Sequence, residues 1–357
     1  MKIVKIITGL GCGGAEHQAV NLAERLQQRG HQLAIVSLTG KSHVRPKSES
    51  VTVYEINMRK TPLGLLTALI KCRTIINSFK PDVVHSHMVH ANIFARLLRP
   101  ISKIPRLICT AHSTNEGGRI RMLLYRITDR LCDLTTNVSQ EAVERFISLK
   151  AANPKRIIPV YNGIDTEKFK FDRNAREEIR TVNSIDGPLI LAVGRLTEAK
   201  DYPNLLNAMV LVKKRIPDVK LWIAGDGHLK EQLVSLTTQL NLDESVKFLG
   251  ICDNINKLMS AADVFVLSSA WEGFPLVVAE ALACERPVVA TDCGGVKEAV
   301  SGTGLIVQRK SHEELAEALH SSLKKLPTLN TSGRQRVEEH FSFKNIVENW
   351  ERLYSTN

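Results

Sequence analysis

The second half of the sequence holds two cations and two carboxylates whose spacing suits an anionic, polyhydroxylated ligand. Arg195 and Lys200 follow an apolar run, Leu189–Val193. Two fixed cations at the end of a strand can neutralise a diphosphate, and arginine can do so through two hydrogen bonds at once. Glu272 and Glu280 are carboxylates, which accept hydrogen bonds from the hydroxyl groups of ribose and hexose. An ordinary surface pair is the alternative interpretation of the two cations.

The segment Gly273-Phe274-Pro275-Leu276 separates the two carboxylates. Pro275 is placed as in the first turn of a helix that continues through Glu280. The backbone amides of Gly273–Leu276 are then expected to be free to bind an anion at the helix N-terminus. Glu280 lies roughly one and a half turns into this helix, whereas Glu272 precedes it. The spacing therefore predicts no close acid–base pair, but a long ligand with ribose at Glu280, diphosphate at the amides and sugar at Glu272.

A glycine-rich loop, Gly9-x-Gly11-x-x-Gly14, follows the first apolar run and precedes a helical pattern. It satisfies the dinucleotide-binding fingerprint, in which backbone N–H groups and a helix N-terminus face a phosphate. That fingerprint also needs an acidic residue after the second strand, and none is present here, which argues against NAD. Lys41 or Arg45 leaves an NADP-dependent oxidoreductase as one alternative, and a plain tight turn is another.

Four histidines follow two neighbouring predicted strands: His85, His87, His90 and His112. Metal sites usually bring carboxylates or thiolates with clearer spacing, so we expect no metal here. No Asp-x-Asp stands in a metal-binding context either. His112 directly follows a strand, and its ordinary pKa would permit proton chemistry near neutrality. We therefore expect His112 to be the functional histidine and the others to be lining or structural groups.

Short β-branched runs alternate with helical patterns twice along the chain, which predicts two doubly wound α/β domains with parallel sheets. We place the first domain at residues 1–168 and the second at 169–340. A last helix, around Phe343–Tyr354, lies beyond the second sheet's final strand. Because ligands bind outside the carboxyl ends of parallel strands, two facing sheets imply a cleft between them.

Composition and charge narrow the function classes. The 357 residues are 43% hydrophobic with a net charge of +11, and no apolar run reaches membrane-spanning length. Residues 1–170 carry 26 basic against 12 acidic side chains, which favours an anionic partner. No nucleic-acid-binding signature is present, so we expect no nucleic-acid partner. Seven dispersed cysteines and no signal-peptide pattern suit a reducing cytoplasm.

One basic stretch, residues 96–130, also carries an apolar stripe at helical spacing. The stripe consists of Ile120, Leu123, Leu124, Ile127 and Leu131. Arg119, Arg126 and Arg130 lie beside it, as in helices that rest on an anionic membrane surface. A solvated basic surface over a helix that faces the core is the equally simple alternative.

Five motifs occur in an order that resembles retaining glycosyltransferases of the GT-B fold, family 4. They are Gly13-Gly14-Ala15-Glu16, Asn162-Gly163-Ile164-Asp165, Val193-Gly194-Arg195-Leu196 with Lys200-Asp201, Ala224-Gly225-Asp226-Gly227 and Glu272-x7-Glu280. The resemblance covers nearly the whole chain. It implies two Rossmann-like domains that face a cleft, with residues 341–357 crossing back to the first domain. Glu285 and Lys297 depart from the family pattern at loop positions away from the implied donor contacts.

The resemblance also implies roles for individual residues. Arg195 and Lys200 contact the diphosphate of a nucleotide sugar, Glu280 its ribose and Glu272 the transferred sugar. His112 matches the family's cleft histidine, and Gly13–Gly14 the loop that faces the diphosphate. The donor belongs to the second domain and the acceptor mostly to the first. UDP-sugars are the commonest donors in the family, and no cofactor or obligatory metal ion is expected.

For the acceptor we expect a lipid-linked glycan, such as a polyprenyl-diphosphate sugar in O-antigen or capsule synthesis. This expectation depends on the basic first domain, the apolar–basic stripe and the similarity to polysaccharide-cluster members of the family. It places the protein in the cytoplasm, peripheral on the inner face of the membrane. Two other classes stay open, namely a sugar-nucleotide epimerase on the same scaffold and the NADP-dependent oxidoreductase.

Overall fold

The computed structural model describes residues 1–11, 13–114, 116–325 and 329–356. The strands within these ranges, in chain order, are β1 (Lys2–Ile7), β2 (Gln32–Ser37), β3 (Thr52–Glu55), β4 (Val83–His87), β5 (Arg106–Ala111), β6 (Leu134–Asn137), β7 (Ile157–Pro159), β8 (Leu189–Val193), β9 (Lys220–Ala224), β10 (Val246–Gly250), β11 (Val264–Leu267), β12 (Val288–Thr291) and β13 (Leu305–Val307). The helices are α1 (Gly14–Gln28), α2 (Pro62–Phe79), α3 (Val89–Leu98), α4 (Arg119–Thr128), α5 (Gln140–Ser148), α6 (Arg173–Val182), α7 (Tyr202–Arg215), α8 (Lys230–Gln239), α9 (Ile255–Ala261), α10 (Leu276–Ala283), α11 (Val296–Val300), α12 (His312–Leu323), α13 (Thr331–His340) and α14 (Phe343–Ser355).

The chain divides into two compact units. The first unit is Met1–Gly163 together with the C-terminal segment from Phe343, and the second is Ile164–Ser342. The predicted boundaries were 168 and 340, so the second unit begins earlier and ends later than expected. The reason is local hydrogen bonding, because the Ile164 amide donates to the Phe341 carbonyl at 2.7 Å. That bond ties residues 164–168 to the second unit.

The first unit contains a seven-stranded parallel sheet in the order β3-β2-β1-β4-β5-β6-β7. Helices cover both faces of this sheet, so successive residues of the inner strands β1 and β4 are buried on both sides, whether apolar or polar. On one face, Ile3 and Ile7 of β1 pack with α1 and α14. On the other face, Val4 and Ile6 pack with α2 and α3. Edge strand β7 was not predicted, since it is only three residues long and ends in proline.

The second unit contains a six-stranded parallel sheet in the order β10-β9-β8-β11-β12-β13. Strand β8 lies at its centre, between β9 and β11. A core of aliphatic residues from β8, β9, α7 and α12 fills one side of this sheet. The prediction of two doubly wound α/β domains is therefore confirmed.

Helix α14 returns to the first unit. Its apolar residues recur every three or four positions, which gives one buried face. These buried residues are Phe343, Ile346, Val347, Trp350 and Tyr354. They join the same core as α1 and β1. The predicted crossing of the C-terminal segment back to the first domain is confirmed.

Candidate active site

Lys200 and Glu272 meet at the carboxyl edge of the second unit's sheet. The Lys200 ammonium lies 2.5 Å from Oε1 of Glu272, and both side chains are mostly buried. The Ser269 hydroxyl donates to the same oxygen at 2.7 Å. Strands β8 and β11 bring these groups together, because the loops after both strands emerge at one edge. Two residues far apart in sequence are thus joined in one ion pair.

Glycines allow the loop after β8 to fold this tightly. A Cβ atom on Gly194 would lie 2.7 Å from Cε of Lys200, so a larger residue there would displace the end of that side chain. Gly225 has φ +141°, and a Cβ atom there would overlap the Gly194 carbonyl oxygen. The Tyr202 hydroxyl donates to the same carbonyl at 3.0 Å. The loop that carries Lys200 is therefore held from two sides.

The loop that carries Glu272 rests on the loop after β12. The Gly295 amide donates to the Gly273 carbonyl at 3.0 Å. Gly294 has φ +55°, and a Cβ atom there would overlap the Glu272 carbonyl oxygen. The Thr291 hydroxyl donates to the Ser269 carbonyl at 2.6 Å. The loops after β11 and β12 therefore contact each other directly.

Arg195 differs from Lys200 in its surroundings. Its side chain is exposed. No hydrogen bond or ion pair joins the guanidinium to the part of the chain that the structure describes. Lys200 is the ion-paired member of the predicted cation pair, whereas Arg195 keeps all its donors available for a ligand.

The start of α10 differs from the prediction. Helix α10 begins at Leu276, so Pro275 precedes its first turn. Pro275 has no N–H group, and the Leu276 amide donates to the Phe274 carbonyl at 3.0 Å. The prediction of free amides over the whole of Gly273–Leu276 is therefore wrong. Among the described residues, the amides of Gly273 and Val277 donate no hydrogen bond, and these two can meet an anion.

Glu280 lies in the first turns of α10 and is partly exposed. Its carboxylate accepts no hydrogen bond from residues that the structure describes. Burial raises the pKa of Glu280 to about 7, and Lys168 opposes that shift. Glu280 shares no hydrogen bond with Glu272 or Lys200. The Glu280 carboxylate is therefore available to accept a hydrogen bond from a ligand.

His112 lies at the carboxyl edge of the first unit's sheet and is the end of a chain of basic groups. Nε2 of His112 lies 3.2 Å from Nδ1 of His87, and Nε2 of His87 lies 3.4 Å from Nζ of Lys5. Burial lowers the pKa of His112 to about 4. The neutral imidazole predominates at pH 7, where it can accept a proton or a hydrogen bond, and the expected role of His112 in proton transfer stays a prediction.

Of the other predicted histidines, His85 and His87 are buried and hydrogen-bonded, whereas His90 is exposed. His85 lies 2.7 Å from the Tyr354 hydroxyl and 2.6 Å from the Thr110 hydroxyl, so both its ring nitrogens are used. His90 is exposed on α3. No group of three or more His, Cys, Asp or Glu residues within the described ranges could hold a metal ion.

Glu116 fixes the backbone around His112. Its Oε1 atom accepts the His112 amide at 2.8 Å, and its own amide lies 3.3 Å from the Ser113 hydroxyl. Burial raises the pKa of Glu116 to about 7. This role of Glu116 was not predicted from the sequence. No spacing signal could reveal it, since the contact depends on a left-handed residue with φ +40°.

The glycine-rich loop meets an acidic side chain. Helix α1 begins at Gly14, with Gly13 as its cap residue. A Cβ atom on Gly13 would lie 2.5 Å from Oε2 of Glu16. That carboxylate lies at the positive end of the helix dipole, where it is stabilised. The predicted diphosphate contact at Gly13–Gly14 stays a prediction, and Cys12 lies outside the described residues.

Helix α4 turns its apolar stripe towards solvent. Ile120 is 78% exposed and Ile127 is 65% exposed, while Met122, Tyr125 and Thr128 form the buried face. The interpretation of α4 as a helix with its stripe in the core is therefore wrong. No helix in the described ranges is long and apolar enough to cross a membrane.

The site contacts of three further residues were not predicted from the sequence: Lys5, Ser269 and Tyr202. Lys5 had a usable signal, because a lysine inside the apolar run Ile3–Ile7 of a central parallel strand must be buried. Ser269 followed a predicted strand but carried no spacing signal. Tyr202 lies at the start of α7, and its contact with Gly194 is purely tertiary.

Two protein-family models match the chain, one in each half. A family model described as Glycosyltransferase Family 4 matches residues 12–168. A second model, described as Glycosyl transferases group 1, matches residues 175–336. Together the two models cover most of the chain, one in each half.

Individual relatives are similar over nearly their whole length. An uncharacterized glycosyltransferase of Methanocaldococcus jannaschii is 28% identical over 96% of this chain and 94% of its own. The N-acetylgalactosamine-N,N'-diacetylbacillosaminyl-diphospho-undecaprenol 4-alpha-N-acetylgalactosaminyltransferase of Campylobacter jejuni is 28% identical over 90% of both chains.

Solved structures show the same fold. The crystal structure of HepE from Anabaena in complex with UDP matches with a TM-score of 0.87, at 21% identity, over 99% of this chain and 100% of HepE. WaaG, a glycosyltransferase involved in lipopolysaccharide biosynthesis, matches with a TM-score of 0.77 at 16% identity, over 100% of both chains. The chain is therefore a glycosyltransferase of the GT-B fold and belongs to the family 4 type.

Proposed function

We propose that this enzyme transfers a hexose or N-acetylhexosamine from a UDP-sugar to a lipid-linked glycan during synthesis of a cell-surface polysaccharide. The observation that carries the proposal is the meeting of Lys200, Ser269 and Glu272 at the carboxyl edge of the second sheet. The exposed cation of Arg195 follows the central strand at the same edge. This edge offers both charges for a diphosphate and acceptors for sugar hydroxyls.

Arg195 and Lys200 would bind the diphosphate. Departure of a nucleoside diphosphate develops negative charge, and fixed cations stabilise that charge without reorganising at the moment of reaction. The unpartnered amides of Gly273 and Val277 at the start of α10 add two donors and the positive end of a helix dipole. When phosphate oxygens take up the Lys200 ammonium, Oε1 of Glu272 is released from part of its ion pair.

Glu272 would hold the transferred sugar and Glu280 the ribose. The second oxygen of Glu272, Oε2, accepts no hydrogen bond from the described residues, so it can accept one from a sugar hydroxyl. No described residue donates a hydrogen bond to the Glu280 carboxylate, which lies further along α10. The separation of these two acceptors along one loop and helix suits a ligand with hydroxyl groups at both ends.

We propose that the anomeric configuration is retained. The acceptor hydroxyl attacks the anomeric carbon on the face from which the diphosphate leaves. The bond from that carbon to the phosphate oxygen breaks as the new C–O bond forms, and a diphosphate oxygen takes the hydroxyl proton. Arg195 and Lys200 supply the positive charge for this departure, so we propose that no divalent ion is required and that EDTA leaves the rate unchanged.

The lipid-linked acceptor is supported by charge and by a relative. The Campylobacter relative's name describes an acceptor on diphospho-undecaprenol. Residues 56–128 of this chain hold twelve lysines and arginines against Asp82 and Glu116. A basic surface with exposed isoleucines and leucines on α4 fits an anionic membrane that presents such an acceptor. We therefore propose that the first unit rests on the inner face of the cell membrane.

A donor panel tests the proposal most simply. Each UDP-, GDP- or ADP-sugar is offered with a short polyprenyl-diphosphate sugar, and products are weighed by mass spectrometry. We expect one UDP-sugar to give a glycosylated lipid, with an alpha linkage from an alpha-linked donor. Glu272→Gln should lower turnover about 100-fold with little change in donor affinity, and Lys200→Met should lower both.

Other results would overturn the proposal. Conversion of the donor without an acceptor would indicate an epimerase instead. Stabilisation by NADP and not by UDP would indicate an oxidoreductase. Glu231→Gln, on the exposed face of α8, is the matched control and should leave donor affinity and turnover unchanged.

A further inference from the structure

Lys5 is a buried amine without an opposite charge. It lies on β1, between β2 and β4, and its side chain is fully buried. No carboxylate forms an ion pair with it in the described part of the chain. An isolated ammonium group in such a place loses its hydration without compensation, so the group sheds its proton instead. The direction of the Lys5 pKa, well below its ordinary value because of burial, agrees.

The Lys5 amine leads to His112 through a single intermediate ring. Parallel pairing sets Lys5 beside His85 and Ile7 beside His87. Nζ of Lys5 lies 3.4 Å from Nε2 of His87, and Nδ1 of His87 lies 3.2 Å from Nε2 of His112. Nδ1 of His112 has no hydrogen-bond partner among residues that the structure describes. The chain therefore runs from a buried amine to a free nitrogen on a partly exposed ring.

The direction of hydrogen donation along this chain follows from acid–base strength. An aliphatic amine, with an ordinary pKa near about 10.4, is a stronger acceptor than imidazole, with a pKa near about 6.5. An imidazole N–H is in turn a better donor than an amine N–H. A neutral Lys5 therefore accepts from Nε2–H of His87, whose Nδ1 lone pair then accepts from Nε2–H of His112. Nδ1 of His112 is left as a lone pair.

We propose that Lys5, acting through His87, is a positioning residue that holds His112 as the Nε2–H tautomer, with Nδ1 available to accept a hydrogen bond from a substrate hydroxyl. The inference rests on the proposed function, because the substrate that His112 would contact is the nucleotide sugar or its acceptor. It assigns to His112 the task of an acceptor for a hydroxyl group. A donor to phosphate would need the opposite tautomer.

Within the described ranges, the titratable groups around this hydrogen-bonded series form no hydrogen bond with its ring nitrogens. The groups that face it are His85 on β4, Tyr354 on α14 and the loop residue Glu116. His85 has both ring nitrogens occupied by hydroxyl groups, and Glu116 accepts the His112 backbone amide instead of its ring. A cavity of about 20 Å³ beside His87 and His112 has room for about one water molecule. None of these groups forces the reverse direction of donation.

The tautomer can be read directly in the wild-type enzyme. Two-bond proton–nitrogen spectra of protein labelled with ¹⁵N-histidine assign the protonated nitrogen, and His112→Gln identifies the signals. We expect His112 to be neutral and protonated on Nε2 between pH 6 and pH 8. Protonation on Nδ1 would overturn the proposal. This measurement needs no turnover, so it stands or fails independently of the proposed function.

A variant series then connects the tautomer with activity. Lys5→Met removes the buried acceptor, and we expect a mixture of His112 tautomers, a roughly tenfold lower kcat and a donor KM within about twofold of wild type. Lys2→Met, the same change at an exposed position of the same strand, is the control and should change none of these.

The double variant Lys5→Met/His112→Gln distinguishes positioning from a general effect on the fold. If Lys5 acts through His112, adding Lys5→Met to His112→Gln lowers kcat no further. A second tenfold loss in the double variant would overturn the positioning role. Full activity of His112→Gln with an Nε2–H wild-type ring would instead remove His112 from the proposed site and leave the tautomer assignment intact. Should Lys5→Met fail to fold, the wild-type spectrum still decides the assignment.

Discussion

Glu272 shows at the residue scale how one carboxylate can serve both structure and ligand. Oε1 receives the Lys200 ammonium and the Ser269 hydroxyl, which fix its position. Oε2 has no partner in the described chain and stays available. A carboxylate fixed through one oxygen gives a ligand hydroxyl a preorganised acceptor at the other. The ion pair with Lys200 is therefore part of the site itself.

Glu280 should control donor affinity in a pH-dependent manner. Burial raises its pKa to about 7, so the carboxylate is mostly protonated at pH 6 and mostly ionised at pH 8. The ionised form accepts hydroxyl hydrogens more strongly, and wild-type affinity for UDP should rise over this range. Glu280→Gln should bind UDP about tenfold more weakly at pH 8 and show a smaller pH dependence than wild type in calorimetric titration, the remainder arising from the UDP phosphate, whose second pKa lies at about 6. Equal pH dependence in both proteins would contradict the ribose contact.

Glu116 should make the stability of the enzyme pH-dependent. Burial raises the pKa of Glu116 from its ordinary value of 4.5 to about 7, so the folded state binds more protons than the unfolded state between those pH values. The contribution of Glu116 to the free energy of unfolding should therefore fall as pH rises from 4.5 to 7. The loss amounts to roughly 3 kcal/mol at about 1.4 kcal/mol for each pKa unit.

Urea unfolding of Glu116→Gln and wild type at pH 5 and pH 7.5 measures this difference. Other groups titrate equally in both proteins, so the comparison isolates Glu116. The variant should lose less stability than wild type over the interval. An identical change in both proteins would show that the Glu116 carboxyl titrates as an exposed group does.

At the scale of elements, two loops that contact each other set the position of Glu272. Gly294 combines a left-handed backbone with contact against the Glu272 carbonyl, so Gly294→Ala should destabilise the protein and displace Glu272. Gly302 has φ +84° with open space around it and is the matched control. We expect about 1 kcal/mol of destabilisation for Gly302→Ala, and about 2 kcal/mol more for Gly294→Ala. Only Gly294→Ala should also lower turnover.

Helix α4 should govern binding to anionic vesicles. The double variant Ile120→Asp/Ile127→Asp removes two exposed apolar side chains and adds negative charge beside Arg119 and Arg126. The double variant should float with anionic liposomes at least tenfold less than wild type, with unchanged thermal stability because both side chains are exposed. Val182→Asp, at a similarly exposed position of the second unit, should float as wild type does. Negligible wild-type flotation would remove the membrane proposal.

The elements themselves were largely predictable. Strand β8 lies where the apolar run Leu189–Val193 placed it, because a parallel strand buried on both faces is typically a continuous apolar run. The start of α10 was misplaced, since the Leu276 amide turns back to the Phe274 carbonyl. Glu285, which occupies a turn where the family pattern often has glycine, has φ +58°. Local sequence carries such turn preferences but leaves their hydrogen bonds undetermined.

At the scale of the whole molecule, the two repeated α/β patterns predicted two units, while the interactions within each site were only partly predictable. Lys200 and Glu272 were both predicted as site residues, but their ion pair was not. It forms because the loops after β8 and β11 are neighbours in the fold, which the spacing of the two residues in the sequence does not show. The hydrogen-bonded series of Lys5, His87 and His112 connects β1, β4 and the residue that follows β5. Such contacts arise from tertiary register, which motif spacing does not encode.

Diffraction from crystals of the enzyme soaked with UDP tests the central claim most directly. We predict difference density for the diphosphate within hydrogen-bonding distance of Arg195 and Lys200, with the ribose hydroxyls at Glu280. Well-ordered UDP bound elsewhere, with Arg195, Lys200 and Glu280 untouched, would contradict the proposed donor site.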